Sequence, residues 1–320
     1  VYHNAGCTKP FKRLWISSLE DAAIREGFAH LRDSKEYDRL YEAALARSKA
    51  DWIVGINGTR LFSTLYHRRL IVGRVQTPTL AMLVERDGKI ATFHKEKYFN
   101  VHVAQDGFTA DMEKIKTKDE ANEIAAACSQ KQAAVSSARR ETKSANPPKL
   151  YDLTTLQREA NRYYGFTAQQ TLELVQSLYE KKLLTYPRTD SQFLTEDMEG
   201  TARQVISIVC RKLPLFIGLS HELDIQRVIN NAKVTDHHAI IPTVQLDTQD
   251  IGELPQSEQK ILSLIGMRLL AATGKKHLYD ETRITVLCEG YEFKAKGKTV
   301  VQDGWKAIEM RFRASLGSKE

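Results

Sequence analysis

The 320-residue sequence is poor in cysteine: Cys7, Cys128, Cys210 and Cys288, no two of them close together. It contains no C-x-x-C pair, which argues against a zinc ribbon, and the wide spacing argues against a disulfide framework. Reduced thiols in a cytoplasmic protein are the expected state. No apolar run approaches the roughly 18 residues that span a bilayer, and no signal peptide stands at Val1. Internal repeats and low-complexity segments are lacking too. The opening Val1-Tyr2-His3-Asn4-Ala5 has neither an initiator methionine nor a helix cap, and an excised fragment is the expectation. Charge is not extreme: the formal net value of +7 permits a polyanionic partner without requiring one.

What is present is ordinary globular composition, 42% hydrophobic and 27% charged, enough for two or three domains. Lys12 to Ile16 reads as a short strand, and Ser18-Leu19-Glu20-Asp21 as a capping-box-like start to a helix ending near Gly27. Ser34 should cap a longer helix whose apolar positions, Tyr37, Leu40, Tyr41, Ala44 and Leu45, recur at helical spacing. The helical pattern continues through Trp52, Ile56 and Leu65, and another helix is expected over Pro78 to Lys89. Between Lys35 and Ile90 there are 10 Lys or Arg against 6 Asp or Glu, so this stretch is helical and basic.

At Lys97 the period changes. Phe99, Val101 and Val103 alternate with polar residues, Asp106-Gly107 signals a turn, and Phe108 to Met112 is the return strand. A helix capped by Thr117 and Glu120 runs to Cys128, Val135 to Thr142 is a strand, and Pro147-Pro148 marks a boundary. Helical spacing then returns at Leu153, Leu156, Ala160 and Tyr163. Gly165 ends that helix, and Thr167 with Gln170 caps the next, carrying Leu172, Val175 and Tyr179. This is a helix-turn-helix outline. Helices follow at Thr195 to Leu213 and Ser257 to Ala272. Strands return through Ile284, Val286 and Cys288, then Tyr291, Phe293 and Ala295, with turns at Gly290 and Gly297. The order is helical, β, helical, β, and the two β stretches are expected to share one sheet that the helical insert interrupts. The fold class is α+β, multidomain.

The second helix of that outline delivers the chain to Leu183-Leu184-Thr185-Tyr186-Pro187-Arg188-Thr189-Asp190-Ser191. Pro187 fixes its own φ and keeps Tyr186 on a turn. In extended backbone, residues i and i+2 point the same way, which predicts Tyr186 and Arg188 on one side. A phenol with its ordinary pKa of about 10 is a poor nucleophile. A neighbouring cation stabilises phenolate and can also bind the oxyanions of a phosphate, where one positioned donor is worth roughly 100- to 1000-fold in rate. The chemistry to test is tyrosine attack on a phosphodiester; the plain alternative is a surface Tyr-Pro turn followed by a helix cap.

Leu184-Thr185-Tyr186-Pro187-Arg188-Thr189-Asp190-Ser191 resembles the active-site signature of type IA DNA topoisomerases, especially the topoisomerase III branch. Tyr151-Asp152-Leu153-Thr154-Thr155-Leu156-Gln157-Arg158-Glu159-Ala160 resembles the family's lead-in helix. Thr235-Asp236-His237-His238-Ala239-Ile240-Ile241-Pro242-Thr243 resembles its histidine motif, and Val72-Gly73-Arg74-Val75-Gln76-Thr77-Pro78-Thr79-Leu80 its Gly-Arg-Val-Gln motif. The resemblance implies the end of a Toprim region and a helical DNA-groove domain in residues 1–95. It implies a β-strand arch in residues 96–148 and 280–320, and a helix-rich tyrosine domain with the helix-turn-helix in residues 149–279.

It further implies that Tyr186 cleaves single-stranded DNA through a 5′-phosphotyrosine, a strand passes, and the break reseals without ATP. Arg188 and His237 would be the other catalytic residues, and Arg47, Asp51, Gly73, Arg74 and Gln76 would bind DNA. A histidine with a pKa near 6.5 can meet a phosphate as a cation or as a neutral donor; which of His237 and His238 faces the site is left open. Arg47 and Asp51 also fit a plain i,i+4 surface ion pair. The family's Mg2+ site is an Asp-x-Asp-x-Glu cluster of the Toprim domain, and this sequence has none, so no metal ligands are expected here. Monomeric, membrane-free operation on single-stranded DNA is implied. The competing reading is a non-catalytic helix-turn-helix DNA-binding module. A tyrosine recombinase would need a His-x-x-Arg element, and a relaxase histidines flanking one apolar residue; neither occurs.

Overall fold

The computed structural model describes residue 2 and residues 5–16, 21–105, 107–219, 223–234 and 236–317. In chain order the elements are β1 (Lys12–Arg13), α1 (Asp21–Ala29), β2 (Arg32–Asp33), α2 (Asp38–Leu65), α3 (Gln76–Ala91), β3 (Phe99–Gln105), β4 (Phe108–Ile115), α4 (Lys118–Cys128), β5 (Ala134–Ala145), α5 (Leu153–Tyr164), α6 (Ala168–Glu180), α7 (Glu199–Lys212), α8 (Gln256–Ala272), β6 (His277–Cys288), β7 (Tyr291–Gln302) and α9 (Trp305–Ser315). Contacts divide the chain into Val1–Trp15 with His30–Phe99, and Ile16–Ala29 with Asn100–Glu320.

In the first unit β1 and β2 pair antiparallel, Lys12 opposite Asp33, so the strand expected over Lys12 to Ile16 is only two residues long. The expected capping residues Ser18, Leu19 and Glu20 lie outside the described residues, as do Asp106 and Thr235. The cap expected at Ser34 falls one residue earlier. Asp33, in extended backbone, accepts the Lys35 amide at 2.9 Å, which nucleates a 3-10 turn leading into α2. The chain after α2 folds back onto its small residues. Leu70 N–H donates to Ser63 Oγ and Val72 N–H to Thr59 Oγ1, each at 3.0 Å. A Cβ added to Gly58 would stand 3.1 Å from Val72, so the helix is notched where the returning loop crosses. No described residue of this unit is buried, and Trp52, Ile53 and Leu65 are exposed.

The second unit is built on a five-stranded sheet ordered β3-β4-β7-β6-β5. Strands before and after the helical insert therefore share one sheet, as the sequence order suggests. β6 pairs with β5 from Leu287↔Ala134 to His277↔Ala145, and with β7 from Cys288↔Tyr291 to Leu278↔Gln302. Glu289 and Gly290, both at positive φ, form the two-residue turn that right-handed strand twist favours. Gly297 is not a turn; it lies mid-strand opposite Thr282, because the ladder continues through a glycine when both flanks are paired. On one sheet face the buried carboxylate of Glu281 is ringed by Lys143 at 2.7 Å, Lys296 at 2.9 Å and Arg283 at 2.7 Å. The Lys143 bond is the main reason its pKa is held down at about 2.

The insert between β5 and β6 carries the core: Leu156, Ala160, Val175, Leu178, Val209, Phe216, Ile261 and Leu269. Asp152 caps α5 by accepting the Thr155 amide at 2.6 Å, and Gly165 ends it in the left-handed region. Thr167 and Gln170 close a reciprocal capping box on α6. Between them these caps fix where α6 starts, and so where its end delivers the chain. The helix expected from Thr195 begins as a 3-10 turn at Glu196 and continues as α7. α9 has no counterpart in the sequence reading; it returns after β7 to bury Ile308 and Phe312 in the insert's core.

Gly304 starts α9 at φ 53°, ψ −135°. An added Cβ would sit 2.3 Å from the Lys276 carbonyl oxygen and 2.6 Å from that of Lys275. Gly304→Ala is therefore expected to lower stability by about 1–3 kcal/mol, read as a drop in the urea midpoint; an unchanged midpoint would contradict this account of the turn.

Candidate active site

Tyr186 sits where three chain segments are stitched together. α6 ends with Lys182 in the left-handed region, where its amide donates to the Tyr179 carbonyl at 2.8 Å and the Leu183 amide to that of Leu178 at 2.9 Å. Leu183 and Leu184 then enter the core. From there the chain runs against the histidine-motif segment: Thr185 N–H donates to Ile241 C=O and Thr243 N–H to Leu183 C=O, both at 3.0 Å. The buried Thr185 hydroxyl donates to Ala239 C=O at 3.1 Å and accepts the Ile241 amide at 3.0 Å. A third segment joins from the start of α5: Ile240 N–H donates to Tyr151 C=O at 2.9 Å and Leu153 N–H to Thr189 C=O at 3.1 Å. Finally, the Thr189 hydroxyl donates to His237 C=O at 2.9 Å.

This frame leaves Tyr186 half-buried between two rings. His237 lies 4.2 Å from it centroid to centroid, tilted by 38°. Tyr179 of α6 meets it edge-on at 5.5 Å. Arg188 is exposed and donates from Nη1 to Gln176 Oε1 at 2.9 Å, while Gln176 Nε2 donates to Glu180 Oε1 at 2.8 Å. Gln176 and Tyr179 are three residues apart on α6 and share a face. Tyr186 and Arg188 thus reach the same helix face, as the i, i+2 argument anticipates, but each has its own partner there.

The two histidines separate cleanly. His237 packs on Tyr186, whereas His238 is buried and its Nδ1 lies 2.9 Å from the Ala239 carbonyl. Burial lowers the pKa of His237, with Asp236 opposing the shift, so its imidazole is neutral at neutral pH. Beside it opens a cavity of about 510 Å³ lined by Asp152, Leu153, Thr154, Arg188, Thr189, Asp190, Asp236 and His237. One wall is the N-terminal turn of α5, whose dipole favours an anion, while its Leu153 and Thr155 amides are already taken by the Thr189 carbonyl and the Asp152 cap. Arg188 and His237 add donors, and three aspartates add negative charge. A larger cavity of about 1020 Å³ lies on the sheet, among Arg283, Lys294, Lys296, Asp111 and Glu113, away from the tyrosine loop.

The remaining candidates belong to the first unit. Arg74 Nε pairs with Asp51 Oδ1 at 2.7 Å. The plain i,i+4 pairing of Arg47 with Asp51 is therefore not the one formed, because the loop after Val72 brings the Arg74 guanidinium to that carboxylate. Gly73 N–H donates to Thr77 Oγ1 at 3.0 Å, and Gln76 is the first residue of α3. Among the described residues no group of three or more His, Cys, Asp or Glu could hold a metal ion. The aspartates of the Tyr186 cavity do not fit a magnesium site, which wants near-octahedral oxygen ligands. Sequence reading assigned no role to Gln176 and took Tyr179 only as part of an apolar stripe. Their signal is positional: residues ten and seven before Tyr186, on one face of the helix that leads to it.

The profile of the DNA topoisomerase family matches residues 35–316. The chain belongs to that family, and its likeness is to the topoisomerase III branch. DNA topoisomerase 3 of Bacillus subtilis (strain 168) is 41% identical over 320 residues, covering 96% of this chain and 44% of that protein. DNA topoisomerase 3 of Staphylococcus haemolyticus (strain JCSC1435) is 40% identical over 311 residues, covering 94% and 43%. Full-length topoisomerase I from Thermotoga maritima shares the fold with a TM-score of 0.74 at 28% identity, covering 93% of this chain and 50% of that one. The chain spans less than half the length of the curated relatives it matches.

Folding depresses the His237 pKa below the unfolded value of about 6.5, so the unfolded chain binds a proton first as pH falls. The stability contribution is present above about pH 6.5 and is lost as pH drops through that value toward the folded pKa. His238, lowered chiefly by burial, acts in the same direction. Proton NMR titration should give a His237 midpoint below about 6.5 in the free protein, rising when an anion occupies the cavity. A midpoint at or above the free-histidine value would contradict the burial of this ring.

Proposed function

We propose that this chain is the central part of a type IA DNA topoisomerase, with Tyr186 as nucleophile. What carries the proposal is the setting of Tyr186: packed on neutral His237, on a loop whose Arg188 reaches the same face of α6, beside a cavity lined by Arg188, His237 and the N-terminal turn of α5. Tyr186 Oη forms a bond to the phosphorus of single-stranded DNA as the P–O3′ bond breaks. The phenol proton leaves to solvent and the 3′ oxygen takes one up. Reversal restores the phosphodiester, so the phosphotyrosine keeps the bond energy and no ATP is needed. Arg188 exchanges its Gln176 bond for a phosphate oxygen, and His237 donates a hydrogen bond to the same group. Arg47, Asp51, Gly73, Arg74 and Gln76 guide the strand.

Residues 1–95 serve as the end of the Toprim region and the groove domain, 96–148 and 280–320 as the arch, and 149–279 as the tyrosine domain, into whose core α9 of the second arch stretch packs Ile308 and Phe312. Magnesium belongs to Toprim carboxylates outside this sequence, and a monomer acting in the cytoplasm fits the reading. The alternative of a purely DNA-binding helix-turn-helix accounts less well for α6, whose Gln176 and Tyr179 are engaged by the tyrosine loop.

Tyr186→Phe is expected to abolish covalent adduct with a single-stranded oligonucleotide on a denaturing gel while leaving affinity nearly unchanged. Normal adduct formation by that variant would remove Tyr186 from the mechanism. Arg188→Ala should slow cleavage by roughly 100- to 1000-fold. Binding should weaken with salt as counterions are released. Arg74→Ala and Arg47→Ala should each reduce the salt slope by up to about one unit; unchanged slopes would make these arginines structural. Isothermal titration should find no specific magnesium site, and supercoiled plasmid should be relaxed little or not at all. Efficient magnesium-dependent relaxation by these residues would show that the metal ligands lie within them.

A further inference from the structure

Seven residues beyond Tyr186 the chain presents Phe193, half-buried, with two ammonium groups over its ring: Lys233 Nζ at 5.0 Å from the centroid and Lys149 Nζ at 5.5 Å. Both lysines are exposed. Among the described residues neither has an anionic partner, whereas Lys143, Lys181 and Lys182 elsewhere in the unit each meet a carboxylate. An aromatic face flanked by uncompensated cations is the pattern by which proteins hold single-stranded nucleic acid. The ring stacks a base, and the cations take the adjoining phosphates.

The backbone beneath the three side chains is fixed. Ala239 N–H donates to Phe193 C=O at 2.9 Å. The Ser191 hydroxyl is 3.0 Å from Lys233 C=O and 3.2 Å from the Phe193 amide. Arg268 Nη1 donates to Lys149 C=O at 3.2 Å, and the next residue, Leu150, is fully buried. Ala239 also ties this patch to the nucleophile. Its N–H goes to Phe193, and its carbonyl takes the Thr185 hydroxyl at 3.1 Å, one residue before Tyr186. The backbone of Phe193 and the residue before Tyr186 are thus both tied to Ala239.

We propose that Phe193, with Lys149 and Lys233, is a base-stacking subsite for single-stranded DNA on the tyrosine-bearing side of the cleavage point. The proposal rests on the reading of Tyr186 given above. Each lysine gives up the ring for a phosphate flanking the stacked base. Because every base has a π-face, the subsite holds the strand without selecting a sequence.

The test uses the whole chain and single-stranded oligonucleotides with 2-aminopurine at one position at a time. The unaltered protein should quench the fluorophore most strongly at one position. Phe193→Ala should abolish that maximum and weaken binding by about 5- to 150-fold, the range set by loss of one base–aromatic stack. Phe193→Trp should retain both. Phe193→Leu, which fills the same space without a π-face, should keep the melting temperature yet bind like Phe193→Ala. Lys149→Ala and Lys233→Ala should each lower the salt slope by about 0.7 for a single strand. If Phe193→Leu or Phe193→Ala binds and quenches like the unaltered protein, the ring is only packing for lysine stems and the subsite is overturned. If the unaltered protein does not bind the oligonucleotides at all, the reading of Tyr186 fails and this proposal with it.

Discussion

One buried hydroxyl holds the site's frame. Thr185 Oγ1 accepts the Ile241 amide and donates to the Ala239 carbonyl, closing a backbone ladder that turns alone would leave open. Both are backbone groups removed from water, where an unmet partner costs about 1–3 kcal/mol. The neighbouring Tyr186 therefore has little freedom to choose where its ring lies, and His237, two residues before Ala239, is delivered to that ring by the same ladder.

A polar cluster behind the ladder does similar work from the other side. Arg268 of α8 lies 4.3 Å over the ring of Tyr151 and pairs with Glu159 of α5, which also accepts the Tyr151 hydroxyl. Burial drives the Tyr151 phenol well above its usual pKa, so it stays a donor. The family likeness around Tyr151 to Ala160 is thereby given a physical reason. Tyr151 and Glu159 belong to one network with Arg268, and the Tyr151 backbone carries the ladder bond to Ile240. Losing the Glu159 carboxylate would leave the guanidinium uncompensated in a dry setting, which is costly.

Much of this was legible in the sequence where local chemistry decides the structure. Gly165 and the Thr167–Gln170 box punctuate α5 and α6 because caps act over a single turn. The alternation around Phe99 and around Val286 reads as strand because one sheet face is buried. The same reasoning missed features settled by distant partners. Gly297 looks like a turn until its neighbours on β6 are known. α9 offers a short apolar stripe of Trp305, Ile308 and Phe312, and it is the core of the insert that makes a helix of it. Adjacent His237 and His238 are indistinguishable as letters; only the ladder's alternation turns one toward Tyr186 and the other toward the core. Gln176 resembled any exposed polar residue of a helix, because its bond to Arg188 closes across twelve residues.

The sheet and its insert are joined by three covalent crossings: β5 into α5, α8 into β6, and β7 into α9. β5, β6 and β7 are each zipped to a neighbour along most of their length, whereas among the described residues β4 is registered to β7 at Asp111↔Lys294. Load placed on the insert passes into the three long strands as into a stiff plank, since shearing them requires many backbone bonds to yield together. Among the described residues the seam between β4 and β7 has fewer such pairs, and local opening follows the least-bonded boundary. The tyrosine-bearing insert is thus rooted in the strands whose registers run longest.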